Sequence, residues 1–336
     1  MVDVPSVPAI AETSQWEEEI PELQNGWRPT GGPVNPEADE GLLNWPLQRL
    51  ANRTRHHKDR LDLLGLEAAS LVTVGTGGDF ATINEALIAL SKRRPAYLPG
   101  GFTTELRLLA GFVMREQVIV RSVNLSWVTI TSVDAEVLID RSYLTQLSLT
   151  GSYPAFAAFD GGYLPTIDAL FTMMSTGTAA GRVGMHLYQN GSATILSGKG
   201  FKASGGTGVL MNTGARLSAN GAIISGSGAA NVDIAGGSSA TLLNADLRGA
   251  GTIGLIVSNG STVSAGTVKF AGCNNGAIQA AQGSTVNAAN ATARCGASDT
   301  STDIQVAGGS QIAATSATGG VSQAANVVTA LGIIYR

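Results

Sequence analysis

The sequence predicts an all-β protein whose second half is a parallel β-helix, and three observations carry that prediction. Glycine recurs at Gly191, Gly214, Gly237, Gly260 and Gly283, each 23 positions after the last, and Gly309 arrives three residues late. A fixed period of this size marks a stacked repeat. The words around these glycines are rich in small and β-branched residues, as in Gly237-Ser238-Ser239-Ala240-Thr241, Asn259-Gly260-Ser261-Thr262-Val263 and Gln282-Gly283-Ser284-Thr285-Val286. The larger apolar residues come in brief alternation bounded by turn residues, not at helical spacing: Leu217, Ile223 and Ile224, then Ile234, Leu242 and Leu247, then Ile256, Val263 and Val268. Leucine-rich repeats share the length but need several leucines at fixed offsets, which are missing. Each coil of about 23 residues thus climbs one inter-strand spacing of about 4.8 Å. Gly beside Asn or Ser at each corner supplies a residue tolerant of positive φ.

Composition fits this architecture. The 336 residues include 43 glycines, only 14% charged and 5% aromatic residues, and an apolar fraction of 44% that is ample for a core. Small residues replace the usual charged surface. A net charge of −4 with no basic arm gives no basis for nucleic-acid binding. Cys273 and Cys295 lie 22 residues apart, nearly one coil, and read as stacked buried thiols rather than a disulfide or metal site. No apolar run of membrane length and no signal-type segment occurs, so the expectation is cytoplasmic synthesis without membrane insertion.

Taken in order, residues 1–46 read as an extended acidic arm. Nine acidic side chains face a single basic one, Arg28, over the first forty positions, and seven prolines between Pro5 and Pro46 prevent long regular elements. Trp16, Trp27 and Trp45 punctuate the arm. Three tryptophans in a solvated tail are explained if they dock on a larger assembly. Residues 47–69 change sign, with Arg49, Arg53, Arg55, Lys58 and Arg60, and carry Leu47, Leu50, Leu61 and Leu64 at near-heptad spacing. This predicts a short helix whose one apolar stripe pairs with identical chains. His56 and His57 are adjacent and point apart on a helix, which is poor metal-ligand geometry.

Residues 70–336 are assigned to the β-helix. Val72–Val74 is a predicted strand, Gly75–Gly78 a turn, Asp79 a helix N-cap, and Ile83, Leu87 and Leu90 the apolar stripe of a helix that covers the open end of the solenoid. Glu105–Leu109, Gln117–Arg121, Ser126–Thr131 and Glu136–Ile139 alternate as strands, with Leu106, Leu108, Val118, Val120, Val128 and Ile130 facing in. Aromatic residues concentrate between Trp127 and Phe201, where the coils are least regular and longer loops can build a surface.

Two segments resemble known proteins. Asn44-Trp45-Pro46-Leu47-Gln48-Arg49-Leu50-Ala51-Asn52-Arg53-Thr54-Arg55-His56-His57-Lys58-Asp59-Arg60-Leu61 is similar to the segment that many phage tail fibres and spikes place between their virion-binding end and their fibre. Val72-Thr73-Val74-Gly75-Thr76-Gly77-Gly78-Asp79-Phe80-Ala81-Thr82-Ile83-Asn84-Glu85-Ala86-Leu87 resembles the opening of a pectate-lyase-like β-helix in the same class of proteins. In its compact size the chain also resembles the head spikes of alphaproteobacterial gene transfer agents. The resemblance implies a right-handed parallel β-helix, a homotrimer, a place on the surface of a virion or phage-like particle assembled in the host cytoplasm, and binding of host capsular polysaccharide. The arm would then hold a particle protein.

Candidate chemistry lies in the aromatic zone. Hydrolysis of a polysaccharide needs two carboxylates held roughly 5 to 9 Å apart, and Asp134, Glu136, Asp140, Asp160 and Asp168 are the acids available there. Each also suits a turn or cap, so no catalytic residue is assigned, and a depolymerase on the same β-helix stands as the alternative function. No zinc motif, calcium-binding repeat or phosphate loop is found, so no metal or cofactor is expected. Sugar binding asks for less: aromatic faces to stack on pyranose rings and polar groups for their hydroxyls. Trp127, Arg141, Tyr143, Asp160, Tyr163 and Tyr188 are the candidates. On this reading the regular coils from Gly191 to Gly309 form a stiff shaft or distal tip, and recognition belongs to the irregular coils before them.

Overall fold

The computed structural model describes residues 45–63, 70–93, 103–293, 295, 303–317, 326–328 and 333–335. The chain divides into two units. In the first, helix α1 spans Trp45–Leu63, so Trp45 is its first residue and not part of an extended segment. Leu47 and Leu50 lie 51% and 52% exposed on it, and Arg55 reaches Asp59 one turn on, at 3.0 Å. Trp16, Trp27, Leu64 and the rest of the arm lie outside the described residues, as do the side chains of Trp45 and Leu61.

The second unit is a parallel β-helix. Every ladder between its strands is parallel, and four sheets run up its sides. A four-stranded sheet opens it with Leu71–Val74, Thr104–Leu108, Val128–Ser132 and Thr166–Asp168. A nine-stranded sheet runs from Val118–Arg121 through Tyr153–Phe159 and Arg182–Tyr188 to Asn326–Val328, and a five-stranded sheet from Val113–Met114 to Ile223–Ser225. The seven-stranded sheet comprises Ser192–Thr194, Arg216–Ser218, Ser239–Thr241, Thr262–Ser264, Thr285–Asn287, Gln311–Ala313 and Ile333–Tyr335.

Each coil fills its lumen with the alternate residues of its strands. Leu106, Leu108, Val118, Val120, Val128 and Ile130 are all buried, as expected from their alternation. So are Leu217, Ile224, Leu242, Leu247, Val263 and Val268, whereas Ile223 and Ile256 stay half-buried on the outside. Phe156, Phe171 and Phe201 stack in the lumen at ring separations of 5.0 to 5.8 Å. Part of the aromatic concentration before Phe201 is thus core filling and not surface. Cys273 and Cys295 are both buried and free, and burial pushes the Cys273 thiol pKa up.

The 23-residue ruler has a structural cause and one false mark. Thr213 and Gly214, Asn259 and Gly260, and Gln282 and Gly283 form corners of two successive left-handed residues, with φ between 53° and 75°. Ser192, however, pairs with Arg216, so Asn190 (φ 64°), and not Gly191, holds the place of Gly214. Gly191 is required for a different reason: a Cβ there would run into the carbonyl oxygen of Ala158. The serines after Gly237, Gly260, Gly283 and Gly309 are buried and build a ladder along the solenoid. Ala215 donates its N–H to Ser238 Oγ (3.1 Å), Ser238 to Ser261 (3.2 Å), Ser261 to Ser284 (3.3 Å) and Ser284 to Ser310 (3.1 Å).

Helix α2, Ile83–Ser91, covers the first coil with Ile83, Ala86, Leu87 and Leu90 buried. Its cap is Thr82, not Asp79. Thr82 Oγ1 accepts from Glu85 N (3.2 Å) while Glu85 Oε2 accepts from Thr82 N (3.2 Å), a reciprocal capping box. Asp79 instead accepts from Thr73 N and Oγ1 at 2.8 and 2.7 Å, and these bonds hold its carboxyl below the usual range. Glu116, from the next coil, accepts from the N–H groups of Ile83 and Asn84 at 2.7 and 3.0 Å.

Candidate functional site

An open groove lies on the regular coils, over the seven-stranded sheet. In each three-residue strand the middle side chain turns inward: Ala193, Leu217, Ala240, Val263 and Val286 are buried. The flanking residues turn outward and stack in register. One column is Ser192, Arg216, Ser239, Thr262 and Thr285, and the other is Thr194, Ser218, Thr241, Ser264 and Asn287. Apart from Arg216, the side chains of both columns are short, and they line an open groove of about 850 Å³ that runs from Tyr163 to Asn287. Tyr163 bridges to Ser192 and so adds one rung at the end of the sheet, and its hydroxyl lies 3.1 Å from Thr194 Oγ1. Six rungs at about 4.8 Å per step make the groove roughly 24 Å long.

The chemistry of this surface is simple. Its hydroxyls and the Asn287 amide can each donate and accept, and they recur at the strand spacing along the axis. Tyr163 sets an aromatic ring at one end, and Arg216 is the single charged side chain in the lining. Sequence reasoning passed over these positions because a Ser or Thr flanking a small apolar residue is ordinary solenoid filling. The signal was present in the succession Ser-Ala-Thr, Arg-Leu-Ser, Ser-Ala-Thr, Thr-Val-Ser, Thr-Val-Asn from Ser192 to Asn287.

The six residues expected to bind sugar do not converge; only Tyr163 lines this groove. Trp127 packs half-buried against the core and donates its indole N–H to Asn124 O at 3.1 Å. Asp160 sits in a left-handed corner (φ 53°) and binds Arg121 at 2.7 Å. Tyr188 lies beside His186 on the nine-stranded sheet, with ring centroids 5.9 Å apart. Arg141 donates to the carbonyls of Thr176 and Gly177 at 2.6 and 3.1 Å, stapling a loop, and Tyr143 stands half exposed with the Arg115 guanidinium 5.9 Å from its ring.

The acids of the aromatic zone are engaged separately. Asp134 accepts from Gly111 N at 2.7 Å. Glu136 binds Lys202 (2.6 Å) and Thr172 (2.8 Å), Lys202 first among the contacts that lower its pKa. Asp140 is held low by the Ser142 hydroxyl and then Thr176, each at 2.7 Å. Asp168 faces Lys199 at 3.4 Å. None of these carboxylates lines the groove.

His186 is fully buried. Ser152 Oγ lies 2.8 Å from its Nδ1 and donates to Leu149 O at 2.7 Å, so the ring N–H is on Nδ1 and donates to Ser152. Nε2 faces the Asn212 amide at 3.4 Å. Burial depresses the His186 pKa from 6.5 to about 4. Among the described residues no group of three or more His, Cys, Asp or Glu side chains gathers as metal ligands, and no helix is long and apolar enough to cross a membrane.

Neither the models of known protein families nor the curated proteins contain a match to this chain.

Proposed function

We propose that the chain is a surface spike of a phage or phage-like particle that attaches it to host capsular polysaccharide, and that the polymer lies along the groove of the seven-stranded sheet. One observation carries the binding half of this reading: an open groove about 24 Å long whose two polar columns repeat at about 4.8 Å. A small ligand needs an enclosed pocket that buries most of its surface. A polymer instead needs a long track of repeated, shallow hydrogen-bonding positions with an aromatic stop, which the hydroxyl columns and Tyr163 supply.

The particle half of the reading rests on the resemblance of Asn44–Leu61 and Val72–Leu87 to phage fibres and spikes. The exposed Leu47 and Leu50 on α1 suit its pairing with two further copies in a homotrimer. Binding without cleavage is favoured over depolymerisation because the acids of the aromatic zone are tied into turns and ion pairs away from the groove.

Retention of bacterial capsular polysaccharides by the purified full-length protein tests the proposal, with polymer length measured before and after. Wild-type protein is expected to retain a polysaccharide without shortening it, and Thr241→Trp, which fills the groove at mid-length, is expected to abolish retention. Undiminished retention by Thr241→Trp overturns the groove assignment, and shortened polymer overturns the binding-only reading.

A further inference from the structure

We infer that the groove selects an acidic polysaccharide, with a sugar carboxylate bound by Arg216. This rests on the groove being a glycan site and goes on to name the chemical class it takes. Other cations of the solenoid are engaged, Arg141 by the carbonyls of Thr176 and Gly177 and Lys269 by the charge of Asp246. Arg107, Arg115, Arg121, Lys199, Lys202 and Arg248 each lie within 4.0 Å of a carboxylate. Arg182, which does not, is buried with its guanidinium 4.4 Å from the centre of the Tyr153 ring. Arg216 differs from all of these. It is exposed in the middle of the groove, and its neighbours in register are Ser192 on one side and Ser239 on the other. No carboxylate lines the groove to answer it.

An arginine in that setting is costly to explain as structure. Among the described residues its side chain has no ion-pair or hydrogen-bond partner, and between Ser192 and Thr285 it interrupts a run otherwise made of Ser and Thr. Its planar fork of donors matches a carboxylate bidentately, which neutral hydroxyls cannot do. The hydroxyls above and below it would meet the ring hydroxyls of the same and adjacent sugars. Because the charge is single while the hydroxyls repeat, the site reads one acid per bound stretch and tolerates neutral residues around it.

The test uses the full-length protein on an array of bacterial capsular and O-chain glycans, each beside its carboxyl-reduced derivative. The expected result is binding to acidic glycans that falls about tenfold or more on carboxyl reduction, and falls similarly for Arg216→Gln with the parent glycan, as the loss of one charge-assisted pair predicts. Arg216→Gln should bind parent and reduced glycans equally. Arg216→Lys, which keeps the charge but not the fork, should fall between the two. Binding that survives carboxyl reduction, or that Arg216→Gln leaves unchanged while Thr241→Trp abolishes it, overturns the acidic assignment and leaves the groove standing. Binding to no glycan, or binding that Thr241→Trp does not touch, overturns the groove itself and this inference with it.

Discussion

Replacing Ser238 with alanine removes one hydroxyl from the buried ladder and nothing else of consequence. Ser238 Oγ is the acceptor for Ala215 N–H at 3.1 Å and the donor to Ala235 O at 2.7 Å. Ala215 and Ser238 are both buried, so water cannot take over as acceptor for the Ala215 N–H. The alanine loses no apolar contact, and the cost is that of an orphaned backbone N–H and an underused carbonyl. A buried donor left without a partner costs about 1–3 kcal/mol. Because each coil is stabilised chiefly by its neighbours, the effect should be felt first between the coils that carry Ala215 and Ser238. Urea denaturation gives the magnitude, and hydrogen exchange at the Ala215 amide gives the location. Ser218→Ala, an exposed serine on the preceding rung, is the control and should change stability by less than about 0.5 kcal/mol. Equal effects of the two substitutions, with Ala215 protection unchanged, would show that the recurring serine is not held in place by this ladder.

Two further outcomes follow from the fold. His186 has a folded pKa of about 4 against an ordinary 6.5, so between these values the unfolded chain binds the proton and the folded chain does not. Stability should therefore be intact above pH 6.5 and fall as pH drops toward 4, by at most about 3 kcal/mol. Burial raises the pKa of Glu116 and Asp233, which acts in the opposite sense over part of this range, so the difference between wild type and His186→Asn isolates the histidine; superimposable pH profiles would refute its part. Gly191→Ala drives a methyl group into the Ala158 carbonyl, whereas Gly260→Ala has open space around it and bears only the strain of φ +72°, about 1–2 kcal/mol. Gly191→Ala should thus be the more destabilising in thermal unfolding, and the reverse order would contradict the packing at that corner.

The regular coils were legible because one corner geometry and one buried serine repeat at the same place, which forces the same letters to recur. Legibility failed where two different constraints select the same residue. Gly191 looks like another corner glycine, yet close approach to Ala158 selects it and Asn190 makes the corner. Asp79 looks like an N-cap, but the capping box of Thr82 and Glu85 sits three residues on, and Asp79 serves Thr73. The groove was missed for a related reason. Its parts are single small polar residues in separate coils, and only the register that stacks them gives them a common direction. Bulky aromatics drew attention instead, and Phe156, Phe171 and Phe201 proved to be lumen filling.

The solenoid also accommodates length changes without losing its alignment. The pairing offset rises from 23 residues, as between Thr262 and Thr285, to 26 between Thr285 and Gln311, yet the strands on both sides stay in step. The three extra residues fall between Thr292 and Ile304 in the sequence, and the columns keep their register on either side. Insertion or deletion of a whole coil would then lengthen or shorten the polar track by about one strand spacing, 4.8 Å, with every other position undisturbed. On the proposed function, the length of polymer held would change in whole-coil units, separately from the chemistry of any one rung.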